Sequence, residues 1–128
     1  MRHERPRIAK IRRQRDFERI FSDGRRFHGS YLTLVSAEPS EANTTGCAFV
    51  VGKQVGKAVE RNRVKRRLRE IARRLLIYGQ KNADFVVIAR PGAAARDYWE
   101  LGEELADLLG KAGIIGDDID VRSCLQEH

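Results

Sequence analysis

The spacing of apolar residues in the first half of the chain predicts a short helix followed by two strands. Apolar residues recur at helical spacing over residues 14–22, and a glycine just beyond them favours an end to the helix. Residues 31–35 and 47–51 are rich in β-branched and aromatic types, which is typical of strands. The polar segment 38–45, which contains a proline, is predicted to join the two strands as a hairpin loop.

The second half of the chain predicts a long helix, a buried strand and a final helix. Helical spacing extends over about residues 57–76. Residues 85–89 form a nearly continuous apolar run that ends at a Pro-Gly pair, a pattern typical of a strand covered on both faces. Helical spacing returns over residues 96–109, and residues 114–128 are predicted to be an irregular acidic tail with room for a short strand at 119–121.

These elements, in the order α-β-β-α-β-α, predict a single α+β domain over residues 1–128. A chain of 128 residues suits one hydrophobic core. We expect a two-layer α/β sandwich, in which helices pack on a mixed sheet of four strands. Residues 1–10 are basic and show no periodicity, so they are predicted to form a flexible arm.

No sequence signal places the chain in or across a membrane. No apolar run approaches the roughly 18–20 residues of a membrane-spanning helix, and the basic start lacks the apolar stretch of a signal peptide. Cys47 and Cys124 lie far apart and outside any metal-binding spacing, so we expect reduced structural thiols. The sequence therefore predicts a cytoplasmic protein without a zinc site or a disulfide framework.

The charge of the chain is unevenly distributed. Residues 1–74 contain 20 Lys and Arg against 8 Asp and Glu, whereas residues 75–128 contain 5 against 10. The net charge of +7 therefore combines a first section at +12 with a second at −5. A segregated positive surface favours a polyanionic partner, so nucleic acid is the leading candidate and an anionic membrane surface the alternative.

Much of the positive charge lies on the predicted long helix. Of the eighteen residues 57–74, nine are Lys or Arg and two are acidic. At ~100° per residue one side of the helix is apolar and is expected to face the sheet, with Val64, Leu68, Ile71 and Leu75. The opposite side contains Asn62, Arg66, Arg69 and Arg73, with Arg63 and Lys65 at its flanks and Arg61 near the border of the core.

Two interpretations of this helix are open. A charged face often serves only to keep a domain soluble, but such faces usually mix the two signs, and this one does not. Like charges three or four residues apart destabilise a helix by about 0.2–0.5 kcal/mol per pair, so their concentration favours a functional reason. Arginine outnumbers lysine here, which favours bidentate contacts with phosphate groups.

Three segments together resemble the bacterial ribonuclease P protein component. The basic helix is similar to the family's signature, with Gly56, Lys57, Ala58 and Val59 followed by Arg61, Asn62, Arg63, Lys65, Arg66 and Arg69. The family's first helix is matched by Asp16, Phe17 and Phe21 with Gly24 behind them, and its fourth strand by Phe85–Arg90. The match covers roughly residues 10–110 in the family's order and spacing.

The resemblance implies a fold, a reaction and partners. The fold is ribosomal protein S5 domain 2-like, with a left-handed β-α-β crossover through the basic helix, an exception to the usual right-handed rule. The reaction is removal of the 5′ leader of precursor tRNA by a catalytic RNA subunit, with Mg²⁺ bound mainly by that RNA. The protein is then expected to bind RNase P RNA and precursor tRNA, to need no organic cofactor and to be a monomer without RNA.

RNA-binding residues are expected on the basic helix: Arg61, Asn62, Arg63, Lys65, Arg66, Arg69 and Arg73. A second site is implied by Phe17 and Phe21. Their spacing alone would assign them to the core, but in the family the matching aromatic residues line a cleft for the single-stranded leader. Stacking of a base on an aromatic ring contributes ~1–3 kcal/mol and tolerates any sequence.

The rim and the shape of this cleft involve four further positions. Lys53 and Arg90 follow predicted strands and are expected to hold leader phosphates. The chain departs from the family at Gln54, where a second lysine is usual, and at Val35, where an aromatic residue is frequent. We therefore expect a leader cleft that is weaker or differently shaped.

The sequence contains no constellation typical of a protein nuclease. His3, His28 and His128 are isolated, the acidic residues of 97–107 are typical of a solvated helix face, and no glycine-rich phosphate loop is present. We therefore predict no catalytic and no metal-binding residue. The main alternative is a general RNA-binding protein of the ribosomal or RNA-chaperone type, and a third possibility is a nuclease that acts without an RNA subunit.

Overall fold

The computed structural model describes residues 7–126 as a five-stranded sheet with four α-helices. The strands are β1 (Arg7–Lys10), β2 (Arg25–His28), β3 (Leu32–Ala37), β4 (Thr44–Val51) and β5 (Asp84–Ala89). The helices are α1 (Gln14–Asp23), α2 (Ala58–Leu75), α3 (Tyr98–Lys111) and α4 (Val121–Gln126), and short 3₁₀ turns lie at Lys53–Val55, Leu76–Tyr78 and Ala93–Ala95. The mixed α/β class is thus confirmed. The three helices predicted from the spacing of apolar residues are also confirmed, as α1, α2 and α3. Within residues 7–126, no helix has the length and apolar character to cross a membrane.

β5 lies at the centre of the sheet, whose strand order is β1-β4-β5-β3-β2. It pairs in parallel with β4 and antiparallel with β3. The expected hairpin between β3 and β4 is therefore wrong, because their connection passes from one side of β5 to the other. Phe85, Val86 and Val87 are fully buried, and a strand that is apolar on both faces belongs in the interior of a sheet. The left-handed crossover through α2 stays a prediction.

The two outer strands are absent from the sequence-based prediction. β1 pairs in parallel with residues 44–47 of β4, and β2 pairs antiparallel with β3. Both are four residues long and mostly exposed, with charged side chains that are typical of protected sheet edges. The sheet therefore has five strands rather than four. The flexible arm expected over residues 1–10 is wrong for Arg7–Lys10, and residues 1–6 lie outside the described residues.

Helices cover both faces of the sheet. α2, α3 and α4 pack on one face through a large apolar core. The predicted apolar stripe of α2 is confirmed, since four of its side chains are completely inaccessible to solvent: Val64, Leu68, Ile71 and Leu75. α1 packs on the other face, where Ile20 is buried against Val35, Ala48 and Val86. This smaller cluster leaves part of the second face open.

α4 takes the place of the irregular tail expected near the C-terminal end. Its Cys124 and Leu125 are buried in the core beside α2 and α3. Asp120 stabilises the start of the helix, because its carboxylate accepts hydrogen bonds from the backbone N–H (3.4 Å) and the hydroxyl (3.0 Å) of Ser123. The short strand considered at 119–121 is therefore wrong. Residues 127 and 128 lie outside the described residues.

Candidate nucleic-acid interface

α2 presents its basic side chains away from the sheet. Asn62, Arg66, Arg69 and Arg73 are exposed, whereas Arg61, Arg63 and Lys65 are half-buried. This distribution confirms the helical geometry expected from the sequence.

The two acids of α2 have partners inside the chain. At the start of the helix, the backbone N–H of Lys57 donates to the Glu60 carboxylate (2.9 Å), so one of the two acids stabilises the first turn.

The second acid of α2 pairs with arginines at the C-terminal half of the helix. The Glu70 carboxylate accepts hydrogen bonds from Arg73 (2.8 Å) and Arg74 (2.6 Å). These hydrogen bonds, from Arg73 first and Arg74 second, lower the pKa of Glu70. Arg73 therefore already has an ion-pair partner on its own helix, whereas Arg66 and Arg69 have none within residues 7–126.

Two other arginines of α2 contact the turn that precedes α3. Arg67 donates to the backbone carbonyl of Arg96 (3.0 Å), and Arg63 donates to that of Ala94 (3.5 Å). Arg61 lies near the core, with a buried Nε that has no hydrogen-bond partner among the described residues. The outer side chains of α2 without a hydrogen bond or ion pair inside residues 7–126 form what we call the α2 patch: Asn62, Lys65, Arg66 and Arg69.

α1 holds a pair of aromatic rings over the second face of the sheet. The ring centroids of Phe17 and Phe21 lie 6.3 Å apart, and their planes are inclined by 29°. Both side chains are half-buried and pack against the cluster around Val35 and Val86. Because each ring anchors α1 and still has exposed surface, a core role and a stacking role are compatible.

The sheet beside these rings is only partly covered. Val50 keeps 38% of its surface exposed and Ile88 is half-buried. Alternation along β4 and β5 puts both on the face where α1 packs. Phe17, Phe21, Val50 and Ile88 are therefore partly exposed apolar side chains on the α1 face of the sheet, and we call the surface that they form the α1 cleft.

β2 contributes two polar residues to the α1 face of the sheet that sequence reasoning missed. Its register pairs Arg26 with Val35 and His28 with Thr33, so both side chains lie on the α1 face. The Arg26 guanidinium lies 5.6 Å from the centroid of the Phe21 ring, within the range of a cation–π interaction. The signal for these residues is weak, because β2 is a four-residue edge strand whose pattern resembles a basic loop.

A partly buried ion pair fixes α1 on the sheet. Arg19 donates to Asp84 (2.5 Å), whose exposure is only 5%. The same carboxylate accepts hydrogen bonds from the backbone N–H groups of Ser40 and Gly46, both at 3.2 Å. A Cβ at Gly46 would lie 2.6 Å from an Asp84 oxygen, so this approach requires glycine. Asp84 is the first residue of β5, and it thereby links β5 to α1, to the connection before β4 and to β4 itself. These links set the position of the aromatic pair on α1.

Lys53 and Arg90 lie at the same edge of the sheet, because β4 and β5 are parallel and end side by side. Both side chains are exposed. Arg90 donates to the Gly29 carbonyl (2.5 Å) and lines a depression that also contains Glu104 of α3. Its contact among residues 7–126 is thus with the turn before β3 rather than with α1. Lys53, in contrast, makes no side-chain hydrogen bond or ion pair within residues 7–126.

A pocket at the free edge of β4 brings the two predicted surfaces together. It has a volume of about 630 Å³ and is lined by Phe17 of α1 and by Lys65, Arg69 and Arg73 of α2. It opens beside β4 because β1 pairs only with residues 44–47, so residues 48–51 have no strand on this side. We call it the edge pocket.

Residues 7–126 contain no group of three or more His, Cys, Asp or Glu that could hold a metal ion. His28, the histidine within this range, lies 3.4 Å from the Thr33 hydroxyl. Unpaired cations on α2 and half-exposed aromatic rings on α1 are suited to an anionic ligand with stackable groups.

Comparison with known proteins identifies the family with this arrangement. A family model described as Ribonuclease P matches residues 6–113. The chain is 39% identical over 114 residues to the ribonuclease P protein component of Microcystis aeruginosa, covering 86% of this chain and 95% of that protein. It is 38% identical over 107 residues to that of Acidothermus cellulolyticus, covering 83% of this chain and 89% of that protein.

Solved structures show the same fold. The RNase P protein of Staphylococcus aureus matches with a TM-score of 0.77 and 25% identity, over 84% of this chain and 98% of that chain. The RNase P protein of Thermotoga maritima matches with a TM-score of 0.72 and 32% identity, over 80% of this chain and 96% of that chain.

Proposed function

The chain belongs to the ribonuclease P protein family, and we propose that it binds the catalytic RNA through the α2 patch and the 5′ leader of precursor tRNA in the α1 cleft. Proteins of this family are the protein component of the ribonucleoprotein that processes tRNA 5′ ends, and they work with a catalytic RNA subunit. The observation that carries the proposal is the α2 patch, since it groups three cations and an amide without internal partners on one helix face.

The α2 patch suits the backbone of a folded RNA. Arg66 and Arg69 are exposed and one turn apart, so both guanidinium groups reach the same side of the helix. Guanidinium groups form bidentate hydrogen bonds with phosphate oxygens. Each such contact displaces a condensed counterion from the RNA, so the affinity for RNA is expected to fall steeply with salt concentration.

The α1 cleft suits a single-stranded leader of variable sequence. Bases stack on Phe17 and Phe21 without regard to their identity. Val35 is fully buried and offers no ring to the cleft, but Arg26 lies over Phe21 and supplies a planar cation there. The planar guanidinium group of arginine also stacks on bases. Arg26 therefore offsets part of the stacking surface that is lost because Val35 replaces an aromatic residue. Lys53, which is exposed just after β4, is the cation that we assign to a leader phosphate.

In this proposal the protein supplies binding and the RNA supplies the chemistry. Within residues 7–126 no group of three or more His, Cys, Asp or Glu is arranged to hold a metal ion, and we assign the Mg²⁺ ions to the catalytic RNA. The positive face of the protein lowers the repulsion between the catalytic RNA and precursor tRNA. The protein acts in the cytoplasm as a monomer that assembles with one RNA, and it uses no organic cofactor.

Replacing Phe17 by alanine is expected to weaken binding of precursor tRNA by the reconstituted ribonucleoprotein about tenfold, since one stacked base contributes ~1–3 kcal/mol. Binding of mature tRNA, which has no leader, should stay unchanged. Phe27→Ala is the matched control, because Phe27 is also half-buried but packs against the core on the other face. Equilibrium binding of both tRNAs measures the effect. An equal loss for precursor and mature tRNA would show that Phe17 acts only in the core.

A further inference from the structure

The edge pocket differs from a simple basic surface because its floor is apolar. The floor is formed by β1, β4, α2 and the residues that directly follow β1 and α2: Ile8, Ile11, Ala48, Phe49, Ala72 and Leu76. Ile8 keeps 45% of its surface exposed and Phe49 is half-buried, so apolar surface inside the pocket is accessible. Pockets of about 300–1,000 Å³ with this character are typical of sites for small organic groups, and 630 Å³ lies in that range.

The rim of the edge pocket is positive. Lys10 of β1 and Lys65 and Arg69 of α2 line it and make no ion pair within the described chain, while Arg73 is held by Glu70. No Asp or Glu is among the described residues that line it. Cys47 lies in the wall, and burial raises the pKa of its thiol to about 11, so the sulfur is neutral near pH 7. The pocket therefore combines a neutral apolar interior with cations at its mouth.

We propose that the edge pocket binds one unpaired nucleotide of the catalytic RNA, with the base inside and its phosphate between Lys65 and Arg69. A nucleotide matches this charge distribution, since its flat base is largely apolar and its phosphate is anionic. The occupant comes from the catalytic RNA rather than the leader because Lys65 and Arg69 belong to the α2 patch, whereas Phe17 is the sole lining residue from the α1 cleft. The inference rests on the proposed function and adds a base-binding subsite to a surface that otherwise contacts only phosphates.

Filling the pocket tests the inference. Ala72 lines the pocket, and Ala72→Leu adds three carbon atoms there without changing charge. We expect binding of the catalytic RNA to weaken at least tenfold, while the preference of the ribonucleoprotein for precursor over mature tRNA stays unchanged. Ala95→Leu, at an exposed position outside the pocket, is the matched control and should bind normally. Normal RNA binding by a folded Ala72→Leu variant would overturn the inference.

A second measurement uses the unmodified protein and does not depend on the folding of a variant. Catalytic RNA that contains 4-thiouridine is assembled with the protein, irradiated, and the cross-linked peptides are mapped. A cross-link from a single RNA position to residues 8–11 or 47–49 is expected. Cross-links confined to the outer side of α2, or a cross-link to the pocket from 4-thiouridine in the leader, would overturn the inference. Failure of the proposed function is distinguishable, because Arg66→Ala and Arg69→Ala would then also leave RNA binding unchanged.

Discussion

Replacing Arg66 and Arg69 together by alanine is expected to weaken binding of the catalytic RNA about 100-fold at moderate salt. Both side chains are exposed on α2 and have no internal partner among residues 7–126, so their loss removes RNA contacts without disturbing the fold. A hydrogen bond to a charged group contributes about 1.5–3 kcal/mol, and 1.4 kcal/mol corresponds to a tenfold change in affinity. Filter binding or fluorescence anisotropy over a series of salt concentrations measures the effect.

The salt series also reports how many phosphates are contacted. The slope of log affinity against log salt should become less steep by about two units in the double variant, since two phosphate contacts are lost. Lys81→Ala removes one exposed cation from outside α2 and serves as the control, with affinity close to that of the unmodified protein. Unchanged affinity and slope in the double variant would exclude the α2 patch as the RNA interface.

Asp84→Ala is expected to destabilise the protein by about 2 kcal/mol, because it removes the carboxylate that holds Arg19 and the backbone N–H of Ser40. The loss is limited because Arg19 keeps the Glu38 carbonyl and the Gly46 N–H keeps the Ala83 carbonyl as acceptors. Unfolding in urea, followed by circular dichroism, measures the free energy. Asp107→Ala is the control, since Asp107 is exposed and its ion pair with Lys111 lies at the surface, where such pairs contribute about 0–1 kcal/mol.

The Asp84 variant also has a consequence for RNA. Because the carboxylate holds α1 on the sheet, its loss should reduce binding of precursor tRNA in the folded variant more than binding of mature tRNA. If the free energy of unfolding of the Asp84→Ala variant lies within about 0.5 kcal/mol of that of the unmodified protein, the change is no larger than for an ordinary surface substitution. That result would contradict the role of Asp84 as the anchor of α1.

The features predicted correctly from the sequence are those with a local periodic signal. α2 has an apolar stripe with a helical period over eighteen residues, and β5 is a continuous apolar run, so both have a strong pattern. The exposed and buried sides of α2 follow directly from that period, which is why its basic face could be assigned. The family resemblance supplied the expected role of Phe17 and Phe21, whose spacing alone favours the core.

The features that were missed depend on contacts between distant parts of the chain. β1 and β2 are short, charged edge strands without a strand-like sequence pattern. Their extended conformation is stabilised by pairing with β4 and β3, respectively. Arg19 and Asp84 are separated by 65 residues and meet only because β5 lies between β3 and β4. The edge pocket likewise needs β1 beside β4. Strand order is a property of the whole sheet, so no local pattern could reveal these sites.

Reconstitution with a catalytic RNA tests the central claim most directly. Precursor tRNA is incubated in Mg²⁺ with the protein alone, with ribonuclease P RNA alone, and with both, and the 5′ end of the product is mapped. We expect no cleavage by the protein alone, and we expect the protein to increase cleavage by the RNA at the mature 5′ end and to tighten binding of precursor over mature tRNA. Cleavage by the protein without RNA would support a protein nuclease instead. RNA-dependent cleavage that the protein leaves unchanged would contradict the account and favour a general RNA-binding protein.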